Sequence, residues 1–434
     1  LAGSLVLAIL FALPLNSNAQ VAVIDSSLRP YLVEAIRQNP DLNAWRARVK
    51  AAGERISQAG SWADPMVSLS LMNMPVNSFA LNQEPMTGAW VNLVQMVPIT
   101  RKFSAREKIA GWMAERDQFH LEGRELTIGD QVAQGWYDWA YMRAAVATVD
   151  TTINILDGLI EISLTRYQTG KGLQQDVLRL QTERTRFQDR LAQLQQAALT
   201  AGRRFAVLLG RTPQQVPAPP AGLVVEFPSL FEDSLYAQLA RTNPNLAGVQ
   251  RGRDIAGENV KQAKRSLWPD IRFTAGYGHR QTAANGMDRS DFLSMGAGFT
   301  IPIFAGSKQK PAIQEAVALK NEAEENLRDT EHKLQLTLAT LLDTDRRLEQ
   351  QIGLYHHGVL PEAEATLEAS MAAWSTGKVD VDGLLNTEIA LTNARLELLA
   401  RVRDRAKTRS SMDALLGGPS LLNRPETPAR KQDR

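Results

Sequence analysis

Asn39-Pro40-Asp41-Leu42 returns as Asn243-Pro244-Asn245-Leu246, 204 residues further along the chain, and that echo organises the whole sequence. At the same offset Gly53-Glu54 meets Gly257-Glu258, Gln58-Ala59 meets Gln262-Ala263, Pro65 meets Pro269, and Val97-Pro98-Ile99 meets Ile301-Pro302-Ile303. Later matches stand 207 apart: Thr169-Gly170-Lys171 with Thr376-Gly377-Lys378, and Leu208-Leu209-Gly210 with Leu415-Leu416-Gly417. A register held this long is a tandem duplication with a small net insertion in the second copy, and the repeats are expected at 20–211 and 230–417. Between them, 212–229 contains Pro213, Pro217, Pro219, Pro220 and Pro228, which forbids a continuous helix and reads as a linker. Pro419, Pro425 and Pro428 among charged residues give 418–434 the composition of a disordered tail.

Each repeat is expected to open with a short helix that breaks at Asn-Pro. There Asn39 or Asn243 suits an N-cap, and the proline suits the first position of a second helix. That helix should run to about Gly60 or Leu267. Two alternating segments follow. In Ile271–Gly278 and in Leu293–Thr300 apolar residues occupy every second position, which is strand periodicity. Val67–Leu71 and Trp90–Val97 are weaker counterparts in the first repeat. No proline occurs between Pro98 and Pro213, so a helix from Ser104 to about Tyr167 is permitted, roughly 90 Å long at 1.5 Å per residue. Ser104 and Glu107 have the spacing of a capping box at its start. The equivalent helix of the second repeat, with Pro311 in its first turn, should break near His356-His357-Gly358 and restart at Pro361. Each repeat then turns at Thr-Gly-Lys and returns as another helix, Gln175 to about Leu209 and Leu384 to about Leu416.

Composition removes several function classes. Of 434 residues, 49 are Lys or Arg and 47 are Asp or Glu, a net charge of +2, so the chain lacks the electrostatic footprint of a nucleic-acid binder. The absence of cysteine removes disulfides, Cys-ligated metal sites and thiol nucleophiles. Leu1 to Leu15 is almost wholly apolar or small, and Ser17-Asn18-Ala19 offers small residues where a signal peptidase reads. Residues 1–19 are therefore expected to be a signal peptide, truncated at its start because no basic segment precedes the apolar run. Gln20, not Cys, would follow the cleavage. No later stretch has the ~18 uncharged apolar residues of a transmembrane helix.

Four strands of ~8 to 10 residues fit the length of outer-membrane strands, yet a closed membrane barrel needs at least about eight strands. Because lipid tolerates no open sheet edge, several chains would have to pool their strands. Helices of this length also exceed any compact core and would bury their apolar stripes as antiparallel coiled coils. The expected fold class is an α+β membrane protein built from a duplicated helix, strand, strand, long helix, helix repeat. Three copies of its four strands would form a trimeric 12-stranded β-barrel continuous with an α-helical coiled-coil barrel.

At this point the sequence resembles the TolC-like outer-membrane efflux channel family. The resemblance rests on the duplicated Asn-Pro-x-Leu, on strand pairs ending at Pro98 and Pro302, and on Tyr167-Gln168-Thr169-Gly170 to Asp176-Val177-Leu178 with Trp374-Ser375-Thr376-Gly377 to Leu384-Leu385. Asp64-Pro65-Met66 and Gln95-Met96-Val97-Pro98 look like the heavy-metal branch. The family implies a homotrimeric passive duct across the periplasm and outer membrane, in a tripartite efflux or type I secretion system. An adaptor (membrane fusion protein) and an inner-membrane pump would be its partners. Such a duct selects little, and metal ions, drugs and solvents are all open as cargo. The resemblance also places Gly170 and Gly377 in turns at the periplasmic tip, puts Asp176 near the entrance, and gives Trp374 the place of a tip aromatic. Threefold symmetry would turn Asp176, Asp380 or Asp382 into rings that attract cations. Gly383 and Asn386 stand where some members have aspartates, which leaves the narrowest ring open among these three. Equally, the acids would cap the returning helices.

Other motifs are bland. Lys171 and Lys378 follow glycines, but Thr165, Ala372, Gly172 and Val379 break the phosphate-loop pattern. His120, His279, His332, His356 and His357 show no metal-ligand spacing. Met66, Met72, Met74, Met86 and Met96 read as strand packing or lipid contact more readily than as soft-metal ligands. No acid/base pair or triad is apparent, so neither an enzyme site nor a cofactor is expected. A periplasmic coiled-coil adaptor or scaffold would account for the helices and the export signal, but not for four strands at equivalent points of two repeats.

Overall fold

The computed structural model describes residues 27–418 apart from Ile99, Val224 and Glu226. The expected signal peptide and nearly all of the expected tail lie outside the described residues. The first repeat comprises α1 (Arg29–Gln38), α2 (Pro40–Gly60), β1 (Met66–Met72), β2 (Gly88–Pro98), α3 (Lys102–Gln168) and α4 (Gln174–Leu208). The second comprises α5 (Glu232–Thr242), α6 (Pro244–Arg265), β3 (Asp270–His279), β4 (Phe292–Phe299), α7 (Gln309–Leu354), a π-helical turn (Tyr355–Val359), α8 (Leu360–Ser375) and α9 (Val381–Leu415). Asn39 Oδ1 accepts from the N–H groups of Asp41 and Leu42 at 2.9 and 3.4 Å, so the asparagine satisfies the start of α2 while Pro40 supplies its first position.

Two expectations are corrected. Ser104 and Glu107 do not cap α3, because the Arg101 carbonyl already accepts the first intrahelical bond from Ala105 at 3.1 Å. The helix thus begins at Lys102 and runs unbroken for 67 residues. The expected break at His356-His357-Gly358 is a π-helical turn inside a chain that stays helical. Pro361 has no N–H, and its ring would crowd the carbonyl four residues earlier, that of His357; widening the turn by one residue relieves both problems without ending the helix.

The repeats are not the compact bodies. Among the described residues, one unit takes the chain up to Asn43, Gly123–Asn243 and the chain from Lys333; the other takes Ala44–Glu122 and Pro244–His332. In the first unit, Tyr31, Trp136, Trp139 and Phe205 form an aromatic cluster with centroids 5.4 to 6.3 Å apart. Leu235, Leu239, Leu338, Leu342, Met412 and Leu416 form a buried patch. A buried charge group joins α7 to α9: Asp345 accepts from Arg405 Nε at 3.1 Å and from Arg409 Nε at 2.7 Å. A buried carboxylate of this kind is tolerable only when so paired.

The second unit carries one antiparallel sheet in the order β1-β2-β3-β4, with the two repeats meeting where β2 pairs with β3 from Ala89↔His279 to Pro98↔Asp270. Directly opposed residues share a face. One face therefore presents Leu69, Val91, Leu93, Phe273, Tyr277, Leu293, Met295 and Phe299, all exposed. The other carries Ser68, Ser70, Asn92, Thr274, Ser294 and glycines, with Trp90 stacked on Phe292 at 6.3 Å. Gly278 is required there, since a Cβ would lie 2.6 Å from the Trp90 indole. Arg280 and Arg289 donate to the backbone carbonyls of Pro85 and Glu84 at 3.2 and 2.8 Å, tying together the two loops at one end of the sheet. Asp291, just before β4, accepts from the Tyr277 hydroxyl, the Arg280 N–H and His279, which hold its carboxyl down at about 2.

Candidate functional site

The candidate site lies where α3 turns into α4 and where α8 turns into α9, both within the first unit. The turns have one backbone plan. Gly170 and Gly377 sit at φ +72° and +76°, a left-handed conformation in which a side chain is strained. The N–H of Lys171 donates to the Arg166 carbonyl at 2.8 Å and that of Gly170 to the Tyr167 carbonyl at 3.0 Å; Lys378 to Ala373 at 2.9 Å and Gly377 to Trp374 at 3.0 Å repeat the pattern. This pair of bonds ends both helices by satisfying carbonyls that would otherwise be orphaned.

Side chains make the turns unequal and bind them to each other. Trp374 is buried among Leu156 and Leu159 of α3, Leu180 of α4, and Val381, Leu384 and Leu385 of α9. Arg166, in the last turn of α3, donates through Nη1 to the Trp374 carbonyl at 2.8 Å, and its guanidinium lies 5.1 Å from the indole centroid. The indole thus packs and anchors the second turn. Asp380 caps α9, its Oδ1 accepting from the Gly383 N–H at 2.8 Å. Asp382 pairs with Arg179 of α4. Asp176, half-buried in the first turn of α4, has no charged partner for its carboxylate among the described residues.

Further along the same helices the hydroxyls of Thr152 and Thr392 stand 2.8 Å apart. Beside them Glu388 is buried, with Thr392 3.4 Å from its Oε1 and with Oε2 unpartnered. Burial pushes the Glu388 carboxyl up, against the smaller opposing influences of Arg395 and Thr392. The sequence reading missed Arg166, Arg179 and Glu388. A basic residue one turn before a helix-ending glycine was a signal for Arg166. Arg179 lies three residues after Asp176 and reads as its helical partner, yet it reaches Asp382 instead. His356 and His357 have rings 5.4 Å apart in the π-helical turn, and no group of three or more His, Asp or Glu able to hold a metal occurs among the described residues.

The model of the outer membrane efflux protein family matches this chain twice, over residues 31–211 and 235–418. The chain belongs to the outer membrane efflux protein family. It is 22% identical over 390 residues to the outer membrane efflux protein BepC of Brucella suis biovar 1 (strain 1330), covering 88% of this chain and 83% of that protein. Among solved structures, the outer membrane protein VceC from Vibrio cholerae has a TM-score of 0.77 at 18% identity, covering 91% of this chain and 97% of that one. The MtrE outer membrane channel of Neisseria gonorrhoeae has a TM-score of 0.73 at 14% identity, covering 92% and 95%. The chain is a TolC-like channel subunit for efflux in the bacterial outer membrane, extending into the periplasm; the adaptor alternative falls away.

Proposed function

We propose that three copies of this chain pool their sheets into one 12-stranded barrel, with their helices forming a duct whose periplasmic mouth is made by the turns at Gly170 and Gly377. The observation that carries this reading is the sheet. Its outer strands β1 and β4 pair on one side only among the described residues, and β4 is exposed along its whole length. An apolar sheet with open edges is stable in lipid only when closed by further strands. Trp62 and Trp268, 61% and 63% exposed at the ends of α2 and α6, stand where an aromatic belt would mark the membrane boundary.

In this reading the duct is passive: an adaptor docks at the turns and an inner-membrane pump supplies the energy. Asp176, repeated around the axis, contributes an acidic ring at the entrance; Asp380 is engaged as a cap and Asp382 in an ion pair. The test is the native mass of the protein extracted from outer-membrane fractions in mild detergent. A trimer is expected. A monomer that stays in solution without detergent would overturn the pooled barrel.

A further inference from the structure

Four arginines of the second unit face a cleft for which the duct reading has no use. The cleft has a volume of about 340 Å³ and lies between α2, α3 and α6; Arg48 and Arg55 of α2 and Arg106 and Arg116 of α3 line it, with Asp117 the only carboxylate. Arg48 Nε donates to Asp117 Oδ2 at 3.2 Å, and its guanidinium is 4.7 Å from the Trp45 ring centroid. The other three have no carboxylate partner among the described residues. Of the neighbouring acids, Glu115 pairs with Arg251 at 2.7 Å, and buried Glu258 with Lys261 and Arg265 at 3.1 and 3.2 Å.

Two polar atoms of the lining are buried with no hydrogen-bond partner in the protein, and they are of opposite kind: Nε of Arg116, a donor, and Oδ1 of Asp117, an acceptor. Buried donors and acceptors are rarely left so. Guanidinium groups gathered in a concave wall also raise one another's energy and focus a positive potential outward, which an anion would relieve. His120, nearby on α3, has its pKa lowered first by burial and next by Arg116.

We propose that this cleft binds a phosphate group through Arg55, Arg106 and Arg116, while Asp117 Oδ1 accepts from a hydroxyl or ammonium of the same ligand. Planar guanidinium groups match carboxylate and phosphate oxygens two at a time, and three of them around one anion suit phosphate, which has more oxygens to offer than a carboxylate. Arg106 stands eight residues after the end of β2 and Arg55 eleven before the start of β1, so the cleft adjoins the strand-to-helix junctions. The phosphate has two sources there: a phospholipid headgroup, which rests on the membrane reading above, or free phosphate, which does not.

The experiment uses the full chain in detergent, first with phosphatidylglycerol counted as retained copies by native mass spectrometry, then with inorganic phosphate by calorimetry. Wild type is expected to bind at least one probe, and R55Q/R106Q/R116Q to bind it about tenfold or more weakly. R55Q and R106Q alone, at exposed positions without ion pairs, keep the test valid if the triple variant fails to fold; each should weaken binding measurably. Arginine-dependent retention of the lipid alone identifies a headgroup site, and arginine-dependent phosphate binding identifies a free-anion site. Binding of neither probe by wild type, or binding unchanged in all variants, overturns the proposal. Phosphate binding by a chain that proves monomeric would keep the cleft and remove the barrel, so the two readings fail separately.

Discussion

At an offset of 207 residues the turn at Gly170 and the turn at Gly377 can be compared position by position. The backbone is the same in both, with glycine left-handed and two bonds closing the helix end. The side chains are not. Tyr167 is 43% exposed where Trp374 is 7% exposed. Leu173 stands at the start of α4 without a side-chain cap where Asp380 caps α9. Asp176 corresponds to Gly383, and exposed Gln181 to buried Glu388. The duplication therefore kept the instruction that reverses the chain and divided what surrounds it. The second turn is an anchor, packed, capped and bridged by Arg166. The first carries Asp176, whose carboxylate has no charged partner among the described residues, and in the proposed duct it is the turn that would supply the acidic ring.

The strongest way to break this comparison is to truncate the two aromatics. Trp374→Ala removes a buried ring from the cluster that joins four helices and should destabilise by about 3–5 kcal/mol, whereas Tyr167→Ala should cost about 0.5 kcal/mol or less. Denaturant unfolding of the detergent-solubilised protein measures both; equal effects would end the distinction between anchor and open turn. A smaller difference is expected at the helix starts. Asp380→Ala should cost about 1 kcal/mol through loss of the bond to Gly383 N–H, and Leu173→Asp should gain about 0.5–1 kcal/mol by giving α4 the cap it lacks. If Leu173→Asp destabilises, the exposed leucine serves a contact outside the chain.

A third difference is confined to a pH window. Burial raises the Glu388 carboxyl above its ordinary value of 4.5, so the folded state holds its proton where the unfolded state has released it. Stability from this group is complete below the unfolded value and is lost as pH rises through the folded one. Glu388→Gln should remove that slope and leave the protein more stable at neutral pH, while Gln181 contributes no slope to the other turn. Unfolding midpoints from pH 4 to about 8 measure it, and a variant with the wild-type slope would assign the dependence elsewhere.

How far these features were legible in the sequence follows from the distance between cause and effect. Thr-Gly-Lys turns, Asn-Pro helix starts and alternating strands are local steric instructions, and all appear where they were expected. Pro361 was legible as a disturbance, but not as a π-helical turn, because whether a helix breaks or widens depends on the packing that holds it in line. Ser104 misled for a related reason: its spacing to Glu107 suits a cap, but Arg101 already starts the helix. The burial of Trp374, the Asp382 pair with Arg179 and the Asp345 group with Arg405 and Arg409 were not legible. Their partners lie about 60 to 210 residues away, and no local pattern names them.

The finest test separates the acids of the two turns. Asp176→Asn should leave the unfolding free energy within about 0.5 kcal/mol of wild type, since the carboxylate has no charged partner to lose among the described residues. Asp382→Asn breaks an ion pair between two well-exposed side chains, worth about 0–1 kcal/mol. Selectivity should rank the other way. The field of Asp382 is already offset by Arg179, whereas in the proposed trimer Asp176 would be repeated around the axis and would project uncompensated charge toward passing ions. Reversal potentials across planar bilayers in a salt gradient should therefore lose cation preference in Asp176→Asn and keep most of it in Asp382→Asn. The opposite ranking would move the acidic ring to the second turn, and would mean that the Arg179 pair opens when the chains assemble.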